Sequence, residues 1–235
     1  MNKLAVITGG TKGIGNATVV KFLSEGFDVI SCSRNLSDLE MLSKEVSSNF
    51  PEQKFWCQQA DLSSKSNIIG FAKFIKDIRR PIDVLVNNAG LFIPGAVHSE
   101  EEGNLELMIE TNLYSAYYLT RALIEDMKAK KAGHIFTIGS VASIKAYENG
   151  GSYSISKFAL LGFTKSLREE MKPFGVKVTS VLAGATLTAS WEGVDLPASR
   201  FIKAEDIAST IYGAYTLSDS TVVEEILVRP QLGDI

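Results

Sequence analysis

The sequence predicts an α/β protein in three layers, with a doubly wound, seven-stranded parallel sheet between two layers of helices. Three observations predict it. Short apolar runs of β type alternate with longer runs of helical periodicity almost to the end of the chain. The first apolar run stops at a glycine pair, and a helical pattern opens a few residues later, as expected of a strand buried on both faces that feeds a helix. The chain has 235 residues, 45% of them hydrophobic, enough to enclose a core without a disulfide or a metal.

Leu4 to Thr8 reads as the first strand. From Gly13 to Glu25 the positions Ile14, Ala17, Val20, Phe22 and Leu23 fall at helical spacing, and Gly26 ends the pattern. Phe27 to Ser33 is the second strand, Asn35 to Asn49 an amphipathic helix closed by Asn49 and Pro51, and Lys54 to Gln59 the third strand. Ser64 to Arg79 reads as a helix, and Ile82 to Val86 as a strand that runs into Asn87-Asn88-Ala89-Gly90. Glu100 to Lys131 is mostly helical, with a break near Thr111-Asn112. Gly133 to Gly139 is a strand, Ser152 to Lys172 a long helix and Val176 to Leu182 a strand. Ala204 to Thr216 is the last helix, with Glu205 and Asp206 suited to its N-terminus. Val222 to Val228 is the last strand. Right-handed crossovers between parallel strands put helices on both faces. Gly184 to Ile202 reads as the only long irregular stretch, and loops of that length are usually functional. No repeat, low-complexity tract or linker is seen, so residues 1–235 are expected to form one domain.

Composition excludes several classes of function. Basic residues number 24 against 27 acidic ones, a net charge of -3, with no basic excess for nucleic acid. No run approaches a membrane span, and the start of the chain does not read as a signal peptide, so the expected location is cytoplasmic. Cys32 and Cys57 sit inside apolar runs and are expected to be reduced. His98 and His134 lack metal-ligand spacing, so neither zinc nor Ser-His-Asp chemistry is expected.

Thr8-Gly9-Gly10-Thr11-Lys12-Gly13-Ile14-Gly15 joins the first strand to the first helix. Glycines there permit a sharp turn and let a pyrophosphate approach the amides of the helix N-terminus. The spacing is neither G-x-G-x-x-G nor a P-loop, since no Gly-Lys-Ser/Thr occurs. The end of the second strand discriminates further. A ribose 2′-hydroxyl usually meets an acid there, whereas this strand ends Cys32-Ser33-Arg34. Arg34 offers a planar fork to a phosphate and Lys12 a second cation, which favours NADP(H) over NAD(H).

Tyr153 and Lys157 stand four residues apart at a helix start and share a face. Ser140 ends the preceding strand, thirteen residues upstream of Tyr153, at the edge where α/β sheets bind ligands. A phenol has a pKa of about 10, and a nearby Lys cation together with an oxidised nicotinamide is expected to lower it. Ser140 can donate to a carbonyl oxygen that becomes an alkoxide.

The glycine turn, Asn87-Asn88-Ala89-Gly90, Asn112, Ser140, Tyr153 and Lys157 together resemble the motif set of the short-chain dehydrogenases/reductases, in order and over essentially the whole chain. The resemblance implies a Rossmann fold and an NADP(H)-dependent carbonyl reductase or alcohol dehydrogenase. It implies Tyr153 as general acid, Lys157 as the group that lowers its pKa and holds the nicotinamide ribose, and Ser140 as the group that orients substrate. Asn112 would hold a water linking Lys157 to solvent. Asp61 and Leu62 match the family's adenine contact, Asn88, Ala89 and Gly90 the wall of the cofactor cleft, and Gly184, Thr186 and Thr188 the carboxamide side. One departure is Ala183-Gly184 where the family often has Pro-Gly, which leaves a less rigid loop. The resemblance also implies a homodimer or homotetramer through the helices at 112–130 and 152–172.

The tail from Thr221 to Pro230 and the ending Gly233-Asp234-Ile235 resemble bacterial sepiapterin reductases within this family. So do Gly133-His134-Ile135-Phe136 and Trp191-Glu192-Gly193-Val194-Asp195. This implies reduction of a pterin side-chain ketone, with Tyr147, Phe92 and Trp191 shaping an aromatic pocket. A broad ketone or 3-oxoacyl reductase is the alternative. A catalytically silent NADP(H) sensor is a third possibility, against which Tyr153 and Lys157 count.

Overall fold

The computed structural model describes every residue except Ala189, Ser190 and Glu192. The parts of the Gly184–Ile202 lid and of the Trp191–Asp195 resemblance that fall on those three lie outside the described residues. Seven strands form one parallel sheet: β1 (Leu4–Thr8), β2 (Asp28–Ser33), β3 (Phe55–Gln59), β4 (Val84–Asn87), β5 (His134–Ser140), β6 (Lys177–Ala183) and β7 (Glu225–Val228). Their order is β3-β2-β1-β4-β5-β6-β7, and each neighbouring pair runs parallel. The doubly wound sheet expected from the sequence is therefore the observed one.

Helices cover both faces: α1 (Gly13–Ser24), α2 (Leu36–Asn49), α3 (Lys65–Asp77), α4 (Asn104–Ile109), α5 (Ser115–Lys130), α6 (Gly151–Met171) and α7 (Ala204–Tyr215). Alternation along β1 feeds two cores. Leu4 and Val6 join Ile68 and Phe71 of α3, Leu119 and Leu123 of α5 and Leu167 of α6. Ala5 and Ile7 join Phe22 of α1, Leu42 of α2 and Ile207 and Ile211 of α7. Strands sandwiched in this way lose water on both sides, which is why β1 is apolar at successive positions and not at alternate ones.

Two boundaries depart from the sequence expectation by more than two residues. The helix expected from Glu100 starts at Asn104, because Gly103 takes φ +92°, a conformation open to glycine that no helix continues through. Asn88 to Gly103 is consequently a second long irregular segment, beside Gly184–Ile202. The last strand begins at Glu225 and not at Val222. The break near Thr111-Asn112 does occur: Glu110–Tyr114 forms a π turn between α4 and α5.

Candidate active site

The sheet order places the site. β1 has β2 on one side and β4 on the other, so the chain winds away in opposite senses and leaves a crevice at the strands' carboxyl ends. Of the residues given a cofactor, catalytic or substrate role from the sequence, all except Gly15 and Asn112 line one cleft there, of about 910 Å³. Those two stand behind its wall.

The glycine turn is built for close approach. Gly9 (φ +65°) and Gly13 (φ +53°) are left-handed. At Gly15 a Cβ would lie 2.1 Å from the Gly9 carbonyl oxygen, so any other residue would push α1 away from the turn. α1 has no side-chain cap and no acid in its first turn, which leaves its N-terminal amides and its dipole to an anion. Asn88 Nδ2 donates to Thr8 O at 2.8 Å and to Gly9 O at 3.2 Å, fixing the end of β4 against the turn. Thr11 Oγ1 bonds Ser33 Oγ at 3.1 Å, fixing the end of β2.

The pocket at Lys12 and Arg34 holds one acid that the sequence reading did not name. Asp38, in the first turn of α2, also lines the cleft, and its Oδ2 lies 3.1 Å from Lys12 Nζ. Asp38 was missed because the α-turn, and not the strand end, carries it there. The end of β2 itself holds no acid, as read.

β5 ends at Ser140 and α6 starts at Gly151, which sets Ser140, Tyr153 and Lys157 on one wall. Ser140 Oγ accepts from Ala142 N at 3.1 Å, and Ser140 N donates to Ser143 Oγ at 3.2 Å, so the strand end is held in a capped turn. Lys157 is buried, its Nζ donating to Ile138 O at 3.0 Å and lying 5.7 Å from the Tyr153 ring centroid. Burial pulls the Lys157 ammonium down to about 8. Burial pushes the Tyr153 phenol up to about 12, against a hydrogen bond with Ser140 that lowers it. Burial is thus the largest effect on the Tyr153 phenol, and the Lys157 ammonium bonds a backbone carbonyl; the lowering expected of Lys157 together with an oxidised nicotinamide belongs to the loaded cleft.

Asn112 lies in the π turn, a feature often found at functional sites. Its Oδ1 accepts from Leu91 N at 2.6 Å, and its Nδ2 donates to Leu91 O at 2.9 Å and to Ser156 Oγ at 2.8 Å. Ser156 Oγ in turn donates to Tyr153 O at 2.7 Å. The Asn112 amide therefore ties the 88–103 segment to the first turns of α6, and its side chain is already committed.

The 88–103 segment is a strap across the same helix start. Phe92 packs edge-on to Tyr153 at 4.9 Å between centroids, and Gly95 N donates to Asn149 O at 2.9 Å. The Glu100 carboxylate accepts from the Ser152 hydroxyl and from its amide, supplying α6 with the cap that Gly150 cannot. On the other side, the lid base is pinned by Leu187 N to Ile202 O and Ile202 N to Ala185 O, both 2.9 Å, so the missing proline is offset by a short backbone bridge. Trp191 packs on Phe201 at 5.1 Å. Asp234 and Ile235 also reach the cleft; their place was not foreseen, since a chain end carries no periodic signal.

The family model described as short chain dehydrogenase matches residues 3–196. The chain belongs to the short-chain dehydrogenase/reductase family of oxidoreductases. It is 34% identical to a sepiapterin reductase of Chlorobaculum tepidum, over 100% of this chain and 99% of that protein. An uncharacterised oxidoreductase of Staphylococcus epidermidis is 29% identical, over 97% of each chain. Among solved structures, a metagenomic short-chain oxidoreductase in complex with NADP matches with TM-score 0.84 and 31% identity, over 97% of each chain. An alcohol dehydrogenase of Thermococcus sibiricus complexed with 5-hydroxy-NADP matches with TM-score 0.90 and 25% identity, over 98% of this chain and 97% of that one. Among the described residues no helix is long and apolar enough to cross a membrane.

Proposed function

We propose that the chain is an NADP(H)-dependent carbonyl reductase, working in reverse as an alcohol dehydrogenase, and that its substrate is a pterin side-chain ketone. The observation that carries this is the meeting of Tyr153, Ser140 and buried Lys157 at one wall of the cleft whose other end is the glycine turn. The residues present fit a dinucleotide. The glycine cradle and uncapped α1 N-terminus suit its pyrophosphate, Asp61 and Leu62 the adenine, and Arg34 with Lys12 a 2′-phosphate. Gly184, Thr186 and Thr188 would face the carboxamide.

When bound, the reduced nicotinamide supplies a hydride to the carbonyl carbon. The chain's own part is proton supply and placement. Tyr153, held in the protonated form by burial, donates to the carbonyl oxygen as negative charge develops. Ser140 donates to the same oxygen and orients it. Lys157, charged at neutral pH, favours the phenolate that Tyr153 becomes and would hold the nicotinamide ribose. Asn112 keeps α6 and the strap in register, and a bound water would be left to its main chain. Phe92, Tyr147 and Trp191 offer aromatic faces to a flat bicyclic ring, and the relationship to a sepiapterin reductase supports that substrate. Exposed Tyr114, Ile155 and Phe158 support a homodimer or homotetramer through α5 and α6.

Steady-state oxidation of NADPH with sepiapterin and a panel of ketones and 3-oxoacyl thioesters tests the proposal. Turnover strongest with sepiapterin is expected. Turnover of the other ketones alone would keep the reductase and remove the pterin, and no NADPH oxidation with any of them would remove both.

A further inference from the structure

We propose that Asp38 sets how strongly the cleft prefers a 2′-phosphorylated nucleotide, acting as a counter-ion to Lys12 that the phosphate has to displace. This rests on the assignment of the cleft to NADP(H). Lys12 sits in the glycine turn and Asp38 in the first turn of α2, so the pair spans the mouth between the two nucleotide-facing elements. The Asp38 side chain is 14% exposed and that of Lys12 70% exposed, at 3.1 Å. Asp38 is therefore the anchored partner and Lys12 the one free to swing on its long stem.

Asp38 is anchored by its helix. Asn35 caps α2, its Oδ1 accepting from Ser37 N at 3.0 Å and from Ser37 Oγ at 2.8 Å. A carboxylate one residue further on faces the positive end of the helix dipole. Arg34, beside the cap, has no ion-pair partner among the described residues. The pocket thus offers a phosphate two cations, one of them already neutralised.

A 2′-phosphate gains Lys12 only by breaking its bond to Asp38, and it then lies near a carboxylate that stays in place. A 2′-hydroxyl leaves the pair intact and meets no such cost. Asp38 therefore lowers affinity for the phosphorylated nucleotide without touching the unphosphorylated one. The cofactor preference becomes a balance struck by three side chains, of which two attract and one opposes.

Titration calorimetry with adenosine 2′,5′-bisphosphate, 5′-AMP, NADPH and NADH reads this without turnover. Asp38→Asn keeps the shape and removes the charge. It should tighten the bisphosphate and NADPH by about three- to fivefold and leave 5′-AMP and NADH unchanged, which also shows that the variant is folded. In a Lys12→Ala background the gain from Asp38→Asn should shrink. Unchanged or weaker bisphosphate binding by Asp38→Asn, with NADPH still bound by the wild type, would overturn the role of Asp38 and leave the cofactor assignment standing. A wild type that binds neither dinucleotide would remove both.

Discussion

Lys157 is a buried cation at the centre of the site. Burial brings its pKa from 10.5 to about 8, so folding disfavours its charged form. The sign follows from proton counting: the unfolded chain holds this proton between those two values, so the cost is full below about pH 8 and gone above about pH 10.5. At neutral pH it is on the order of 3 kcal/mol, partly offset by the bond to Ile138 O. Lys157→Met should accordingly raise the Tm at pH 7, by an amount that shrinks as the pH rises from 8 towards 10.5; thermal melts of both proteins across this range check it. A stability cost of this kind is typical of groups kept for function. Ketone reduction by the wild type should fall as the pH rises through about 8, where Lys157 loses its charge, and a pH profile of kcat/KM reads that. Ser140, Tyr153 and Lys157 were legible in the sequence because their chemistry demands those residue types at a strand end and one turn into a helix. The burial that raises the Tyr153 pKa was not, because it depends on how deeply the helix start is covered. Asp38 was hidden for a related reason, its approach to Lys12 depending on the path of α2.

The strap covers the helix start, and the lid walls the same cleft. The three successive acids Glu100, Glu101 and Glu102 read as a helix beginning, and the strap's apolar residues have no period, so its extent could not be read from the sequence. In the structure Glu100 spans from the strap to Ser152, and glycine at 95 and 151 allows the approach: a Cβ at Gly151 would lie 2.5 Å from Gly95 O. Glu100→Ala should remove a charge-assisted contact of about 2 kcal/mol, lowering the Tm by roughly 4–8 °C. Because the same contact holds Tyr153 in place, kcat should fall further than cofactor affinity; melting curves and NADPH titration separate the two. The lid was legible as a long loop after the sixth strand, though not its pinned base. Loops so placed commonly exclude water from the reacting centre. Trp191→Ala should raise KM for the ketone and leave NADPH affinity intact, and in a Trp56→Phe variant that retains Trp191 the Trp191 fluorescence should respond to substrate. No response, with unchanged kinetics, would make Trp191 a packing residue of the Phe201 contact.

At the scale of the whole molecule, the alternation of strand and helix sufficed to give a doubly wound parallel sheet, and the structure supplies the strand order. Parallel strands need crossovers, crossovers have one hand, and the reversal beside β1 then fixes where ligands bind. The cofactor end follows from the same topology, since β1 and β2 end beside each other and bring Lys12 and Arg34 to one mouth. Arg34→Asp should weaken NADPH by roughly ten- to a hundredfold with little effect on NADH, as measured by direct titration. The assembly is less legible, because exposed apolar residues on α6 show a face and not the copy that covers it; Phe158→Glu should shift the molecular mass in light scattering towards the monomer. The most direct test of the central claim, that this cleft reduces carbonyls with Tyr153 as its acid, is the kcat of Tyr153→Phe under saturating NADPH. The substitution keeps the ring against Phe92 and removes only the proton donor. A loss of about 10²–10⁴-fold, with the NADPH dissociation constant unchanged, is the predicted result. Turnover retained in the purified, cofactor-saturated variant would contradict it.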